Sequence, residues 1–149
     1  MYRHILIATD GSELADRGLD HGLALAKAVG AAVTIVTVTE NEYLSPYAMA
    51  IDFHQGHNPV EAQRDAQRAL ARGILDRAAA RAEAAGVTFS AIHVAERPPA
   101  EGIIETATEK GCDLIVMSSH GRRGVRRLMV GSQTAEVVTT TAVPVLVIR

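Results

Sequence analysis

Residues 113–134 read DLIVMSSHGRRGVRRLMVGSQT, and the fold can be worked out from this stretch. Leu114-Ile115-Val116-Met117 is an unbroken apolar run, too short for a typical helix and bounded by small polar residues. Such a run predicts a strand buried on both faces, the kind found in parallel sheets. Ser118-Ser119-His120-Gly121 follows, and further on Gly131-Ser132 stands ahead of a helical pattern. A strand, a loop of small residues and a helix N-terminus turn free backbone N–H groups toward one point. The helix dipole adds partial positive charge there, which favours an anion, most often phosphate. The first expectation is therefore a phosphate-bearing ligand.

Outward from this stretch, strands and helices alternate. Ile5-Leu6-Ile7-Ala8 is a second continuous apolar run and predicts a central strand. Asp10-Gly11-Ser12-Glu13 has the form of a capping box, with Asp10 as N-cap. The helix it opens carries Ala15, Leu19, Gly22, Leu23 and Ala26 on one stripe and ends at Gly30. Residues 32–39 are rich in β-branched side chains and predict a strand. Residues 40–57 show no sustained period, although they hold Tyr43, Tyr47, Met49 and Phe53. A loop of that length is functional or disordered. Asn58-Pro59-Val60-Glu61 then starts a helix reaching about Ala85. Its expected packing side is Ala66, Leu70, Ile74, Ala78 and Ala82. A third strand over 87–95 follows, then a helix opened by Pro98-Pro99 that turns Ile103, Ile104 and Ala107 inward. A helix from Ser132 to about Thr140 and a strand over 144–149 complete the chain. The expected class is α/β, an open parallel sheet with helices on both faces. Ligands of such sheets lie beyond the carboxyl ends of the strands, so Thr9-Asp10 and Met117-Ser118 would flank one crevice.

Composition narrows the function classes. A chain of 149 residues, 48% apolar and 21% charged, is expected to form one domain over 1–149. No apolar run approaches the roughly 20 residues of a membrane span, and no signal peptide is evident, which predicts a cytoplasmic protein. Cys112 is the only cysteine, so no internal disulfide forms; it reads as a packing residue. A net charge of −2 gives no general reason to bind nucleic acid. The P-loop, the dinucleotide fingerprint G-x-G-x-x-G and the G-x-S-x-G elbow are all missing.

From Met117 to Ser132 the chain resembles the nucleotide loop of the universal stress protein family. ATP-binding members carry Gly, two residues, Gly, nine residues, then Gly with Ser or Thr. Here nine residues separate Gly121 from Gly131-Ser132, and Ser118 stands where the first glycine belongs. Thr9-Asp10, the order of segments and the terminal Pro144-Val145-Leu146-Val147-Ile148 extend the resemblance over nearly the whole chain. It implies a Rossmann-like, adenine nucleotide alpha hydrolase-like fold of five strands in the order 3-2-1-4-5. It also implies a homodimer. An edge strand of five apolar residues, Pro144–Ile148, needs cover, and a second copy pairing along it is the expected partner.

The resemblance places ATP, or a related adenine nucleotide, in the crevice as a regulatory ligand of a stress response. Ala8, Thr9 and Asp10 would form one wall, with Val38 holding adenine through backbone groups. Asp10 reads as a helix cap, a ribose-binding carboxylate or a ligand of magnesium bridging phosphates. Met117, Ser118, His120 and Gly121 would line the loop. Ser132 would offer hydroxyl and N–H to phosphate, with Gln133 and Thr134 adding N–H groups, or Ser132 would cap its helix. A left-handed backbone at Ser118 would cost about 1–2 kcal/mol; otherwise only the added CH₂OH matters. Arg122, Arg123, Arg126 and Arg127 form a basic cluster, read as a solvated face or, in part, as contacts to the polyphosphate. Asp52, His54 and His57 lack the spacing of established zinc patterns. No catalytic residue is assigned. The competing expectations are a slow magnesium-dependent ATPase and a nucleotide-independent dimerisation module.

Overall fold

The computed structural model describes residues 1–40, 44–121 and 130–149. In chain order it forms β1 (His4–Ala8), α1 (Glu13–Val29), β2 (Ala32–Thr39), α2 (Pro46–His54) and α3 (Pro59–Ala85). β3 (Phe89–Ala95), α4 (Pro99–Glu109), β4 (Leu114–Ser118), α5 (Ser132–Thr140) and β5 (Val145–Ile148) follow. The strands pair in the order β3-β2-β1-β4-β5, every pairing parallel, as expected. Ile5 sits between Val33 of β2 and Leu114 of β4, so β1 is hydrogen-bonded on both sides. Among the described residues, no helix is long and apolar enough to cross a membrane.

The two apolar runs are continuous because both faces of the sheet are covered. Ile5, Ile7, Val33, Ile35, Leu114 and Val116 pack against Leu19, Leu23 and Ala26 of α1 and Ala78 and Ala82 of α3. Leu6, Val36, Ile115 and Met117 pack on the other face, against Ala100, Ile103 and Ala107 of α4 and Val137 of α5. The glycine in the α1 stripe has a steric purpose. A methyl group on Gly22 would lie 2.5 Å from Ile7 Cδ1, so α1 approaches β1 only because no side chain intervenes.

Four local expectations need correction. Asp10 does not cap α1: Ser12 does, accepting from Ala15 N at 3.2 Å, and Glu13 is the first helical residue. Gly11 turns the chain at φ 74°, and Asp10 lies two residues before the cap position; its Oδ1 accepts instead from Ser12 N at 3.0 Å. In α3, Ile74, Ala78 and Ala82 are buried with Ala71, but Ala66 is exposed and Leu70 is 44% exposed. A helix of 27 residues is about 40 Å long, whereas seven-residue β3 spans about 23 Å. The first half of α3 therefore has little sheet to pack on. Within 40–57, α2 forms without a buried residue, started by Ser45, which accepts from Ala48 N, and by Pro46 at the first turn. Ser132 is not a cap either; Gly131 occupies that position.

At the other end of the sheet, Asp113 closes the entry to β1. Its carboxylate accepts from Arg3 N at 2.9 Å and His4 N at 3.0 Å. Desolvation pushes that carboxyl upward. The N–H donors of Arg3 and His4 and the Arg3 charge outweigh it and hold the carboxyl below the ordinary Asp value.

Candidate functional site

β1 and β4 are neighbours, yet the chain leaves β1 toward β2 and leaves β4 toward β5. Strand order reverses between them, which is where an open α/β sheet leaves a crevice. Two turns meet there, Thr9–Ser12 after β1 and Ser118–Gly121 after β4. Their closeness is measurable: a methyl group on Gly121 would lie 2.6 Å from Asp10 Oδ2.

The first turn is tightly held. Thr9 is buried, and its N–H donates to Val36 O at 3.0 Å while its carbonyl accepts from Thr37 Oγ1 at 2.8 Å. Thr9 Oγ1 accepts from Gly11 N at 3.2 Å. With Oδ1 engaged by Ser12, the half-buried Asp10 carboxylate presents Oδ2 toward the second turn.

The second turn is built on hydroxyl and main-chain bonds. Ser118 Oγ donates to His120 O at 2.8 Å, and Ser119 Oγ lies 3.0 Å from His120 Nδ1. Ser119 N donates to Ile148 O of β5 at 2.7 Å, and Ser119 O accepts from Gly131 N at 2.7 Å. Among the described residues other than glycine, positive φ occurs only at Glu96. Ser118 therefore carries no left-handed strain, and its departure from glycine adds only a hydroxymethyl group, already bonded inside the turn.

α5 begins beside this turn. Its N-cap, Gly131, has no side chain, and the first helical bond runs from Ala135 N to Gly131 O. The N–H groups of Ser132, Gln133 and Thr134 precede that bond and have no acceptor within the helix. Thr134 Oγ1 instead donates back to Ser118 O at 3.0 Å and Ser119 O at 3.3 Å. The result is a helix N-terminus fastened to the β4 turn, with the exposed Ser132 at its mouth. Such an arrangement suits an oxyanion.

Thr9, Asp10, Ser118, His120, Gly121, Ser132 and Thr134 thus gather around one crevice with Gly131. The side chains of Ala8, Val38 and Met117 pack instead in the core on the α4 and α5 face. Val38 lies under α4, where a methyl group on Gly102 would come within 2.9 Å of its Cγ1. Beyond Val38, Thr39 Oγ1 pairs with His93 Nε2 at 2.8 Å. Partial burial, and to a lesser extent the charge of Arg68, lowers the His93 pKa. The Gln133 side chain turns away to α4, where Oε1 accepts from Ala100 N at 3.0 Å. Arg122, Arg123, Arg126 and Arg127 lie outside the described residues, as does Tyr43. Among the described residues no three His, Cys, Asp or Glu side chains converge as a metal set.

Sequence reasoning overlooked Ser119, which joins the turn to β5 and to α5. It also missed the contact between Gln133 and Ala100. The signal for the latter was Pro98-Pro99, two residues without N–H groups, which make Ala100 the first donor of α4.

An open parallel sheet with a helix N-terminus at its reversal point defines a Rossmann-like domain. The profile of the Universal stress protein family matches residues 1–149, and the chain belongs to this family. Universal stress protein YxiE of Bacillus subtilis is 30% identical over 149 residues, with all of both chains covered. Among solved structures, MJ0577 of Methanocaldococcus jannaschii superposes with a TM-score of 0.78 at 26% identity, over 99% of this chain and 96% of that one. A universal stress protein in complex with cAMP superposes with a TM-score of 0.70 at 25% identity, over 99% of this chain and 97% of that one.

Proposed function

We propose that this protein binds an adenine nucleotide, ATP foremost, in the crevice between the β1 and β4 turns. The nucleotide acts as a regulatory ligand of a cytoplasmic homodimer in a stress response. The carrying observation is the approach of Gly121 to the Asp10 carboxylate beside an α5 N-terminus that no side chain caps. A similar protein in complex with cAMP supports an adenine nucleotide as the ligand class.

In this reading the N–H groups of Ser132, Gln133 and Thr134, with the Ser132 hydroxyl, receive phosphate oxygens. Asp10 takes a ribose hydroxyl or one position of a magnesium ion. A single carboxylate fits magnesium, which keeps several waters and takes its other ligands from phosphates. Backbone groups of Ala8, Thr9 and Val38 meet the base, those of Met117 and Ser118 the sugar, and His120 and Arg122 the phosphate side. The second copy pairs along β5, which among the described residues has a strand partner on one side only and leaves Leu146 37% exposed.

The test is mass spectrometry of nucleotides released on denaturing the purified protein, followed by ATP titration with and without magnesium. Co-purified or saturably bound ATP is the expected result. Neither retained nucleotide nor binding would overturn the reading and leave an interaction module that kept the fold.

A further inference from the structure

α4 begins with an unusual deficit. Pro98 is its N-cap and Pro99 its first residue, so neither has an N–H group and neither side chain can accept one. Ala100 is the first residue of α4 with a donor, and it is fully buried. The helix's own bonds begin at Gly102 N, which donates to Pro98 O. Water does not reach Ala100 N, so its acceptor must come from another element. Gln133 of α5 provides it through Oε1 at 3.0 Å.

The same residue belongs to the first turn of α5. Two neighbouring side chains hold that turn in different directions: Thr134 to the carbonyls of Ser118 and Ser119, Gln133 to α4. Val137, four residues on and on the same helix face, is fully buried beneath α4. Gly131 and Ser132 are left facing the crevice.

We infer that Gln133 is a positioning residue for the phosphate end of the nucleotide site: its amide caps α4 and thereby fixes the direction of the free N–H groups of α5. This role rests on the nucleotide reading above. The choice of amide follows from charge. A carboxylate would cap α4 as well, because a helix N-terminus favours a negative acceptor. In the first turn of α5, however, that negative charge would repel the incoming phosphates. A neutral acceptor serves α4 without opposing the ligand.

The experiment compares parent, Gln133→Met and Gln133→Glu in full-length protein. Calorimetric titration measures ATP, AMP and adenosine at low and high salt, and thermal unfolding is followed alongside. Gln133→Met fills the space without an acceptor; it melts lower and weakens ATP several-fold while adenosine changes little. Gln133→Glu keeps the melting temperature of the parent yet weakens ATP more than AMP and AMP more than adenosine. Its deficit shrinks as salt rises. A role confined to structure would move the melting temperature alone. Both variants binding ATP as the parent does would therefore overturn this inference and leave the nucleotide reading intact. A parent that binds neither ATP nor AMP would remove both.

Discussion

Gly121 and Asp10 are where a single atom has the greatest leverage. A methyl group at Gly121 would meet Asp10 Oδ2 at 2.6 Å, and Gly121 itself is exposed, so the fold does not depend on it. Gly121→Ala is expected to swing the carboxylate out of the crevice. The loss of one hydrogen bond to a charged group, about 1.5–3 kcal/mol, corresponds to roughly a 10- to 100-fold weaker Kd for ATP. Titration beside a melting curve checks it; unchanged affinity would separate Asp10 from the ligand. Asp113 carries a prediction about pH. Its folded pKa is depressed, so its contribution is complete above the unfolded value of about 3.9 and vanishes as pH falls through the lower folded value. Asp113→Asn should therefore unfold at lower urea than the parent at pH 7, with the gap closing toward pH 3. Equal midpoints at pH 7 would show that the charge does nothing. Of these residues, Asp10 stood out from sequence as a strand-end carboxylate. Its mistaken role as a cap arose because Gly11 inserts a left-handed turn that residue types alone do not reveal.

Among elements, α1 was readable and α3 only by half. The stripe Ala15, Leu19, Gly22, Leu23 and Ala26 is buried throughout, because α1 lies along the sheet for its whole length. α3 outruns the sheet, and periodicity cannot say where a helix's neighbours stop. Hence Leu70 is exposed while Ala71 is buried. α2 was missed for the opposite reason: cap chemistry at Ser45-Pro46 makes it, and no apolar stripe announces it. The closeness of α1 to β1 gives a prediction at this scale. Gly22→Ala gains about 1 kcal/mol of helix propensity, but the new methyl meets buried Ile7 at 2.5 Å. Overpacking of that kind costs about 1–3 kcal/mol, so the clash outweighs the gain. The expected outcome is a melting temperature a few degrees lower; a rise would mean that the layers separate without cost.

For the whole molecule, two continuous apolar runs separated by helical segments were enough to predict a parallel sheet covered on both faces. Pattern leaves the order of its strands open. The order 3-2-1-4-5 came from resemblance, and the pairing of β1 with both β2 and β4 agrees with it. The crevice was legible as a place, because Thr9-Asp10 and Met117-Ser118 end adjacent strands. Its internal bonding was not, since Ser119, Gln133 and Ala100 are joined only by the fold.

One bond of that fold reaches further than the crevice. Ser119 N donates to Ile148 O, so the turn beside the proposed ligand is tied to the last residue of the edge strand. Thermodynamic reciprocity then relates two equilibria that look separate. If nucleotide tightens association of the copies by some factor, association must tighten nucleotide binding by the same factor. Sedimentation with and without saturating ATP, and titration above and below the dissociation constant of the proposed dimer, should return one number. Two equilibria that ignore each other would mean the bond carries no free energy between them. A shared factor above one would make the concentration of the protein itself a setting of its sensitivity to the nucleotide.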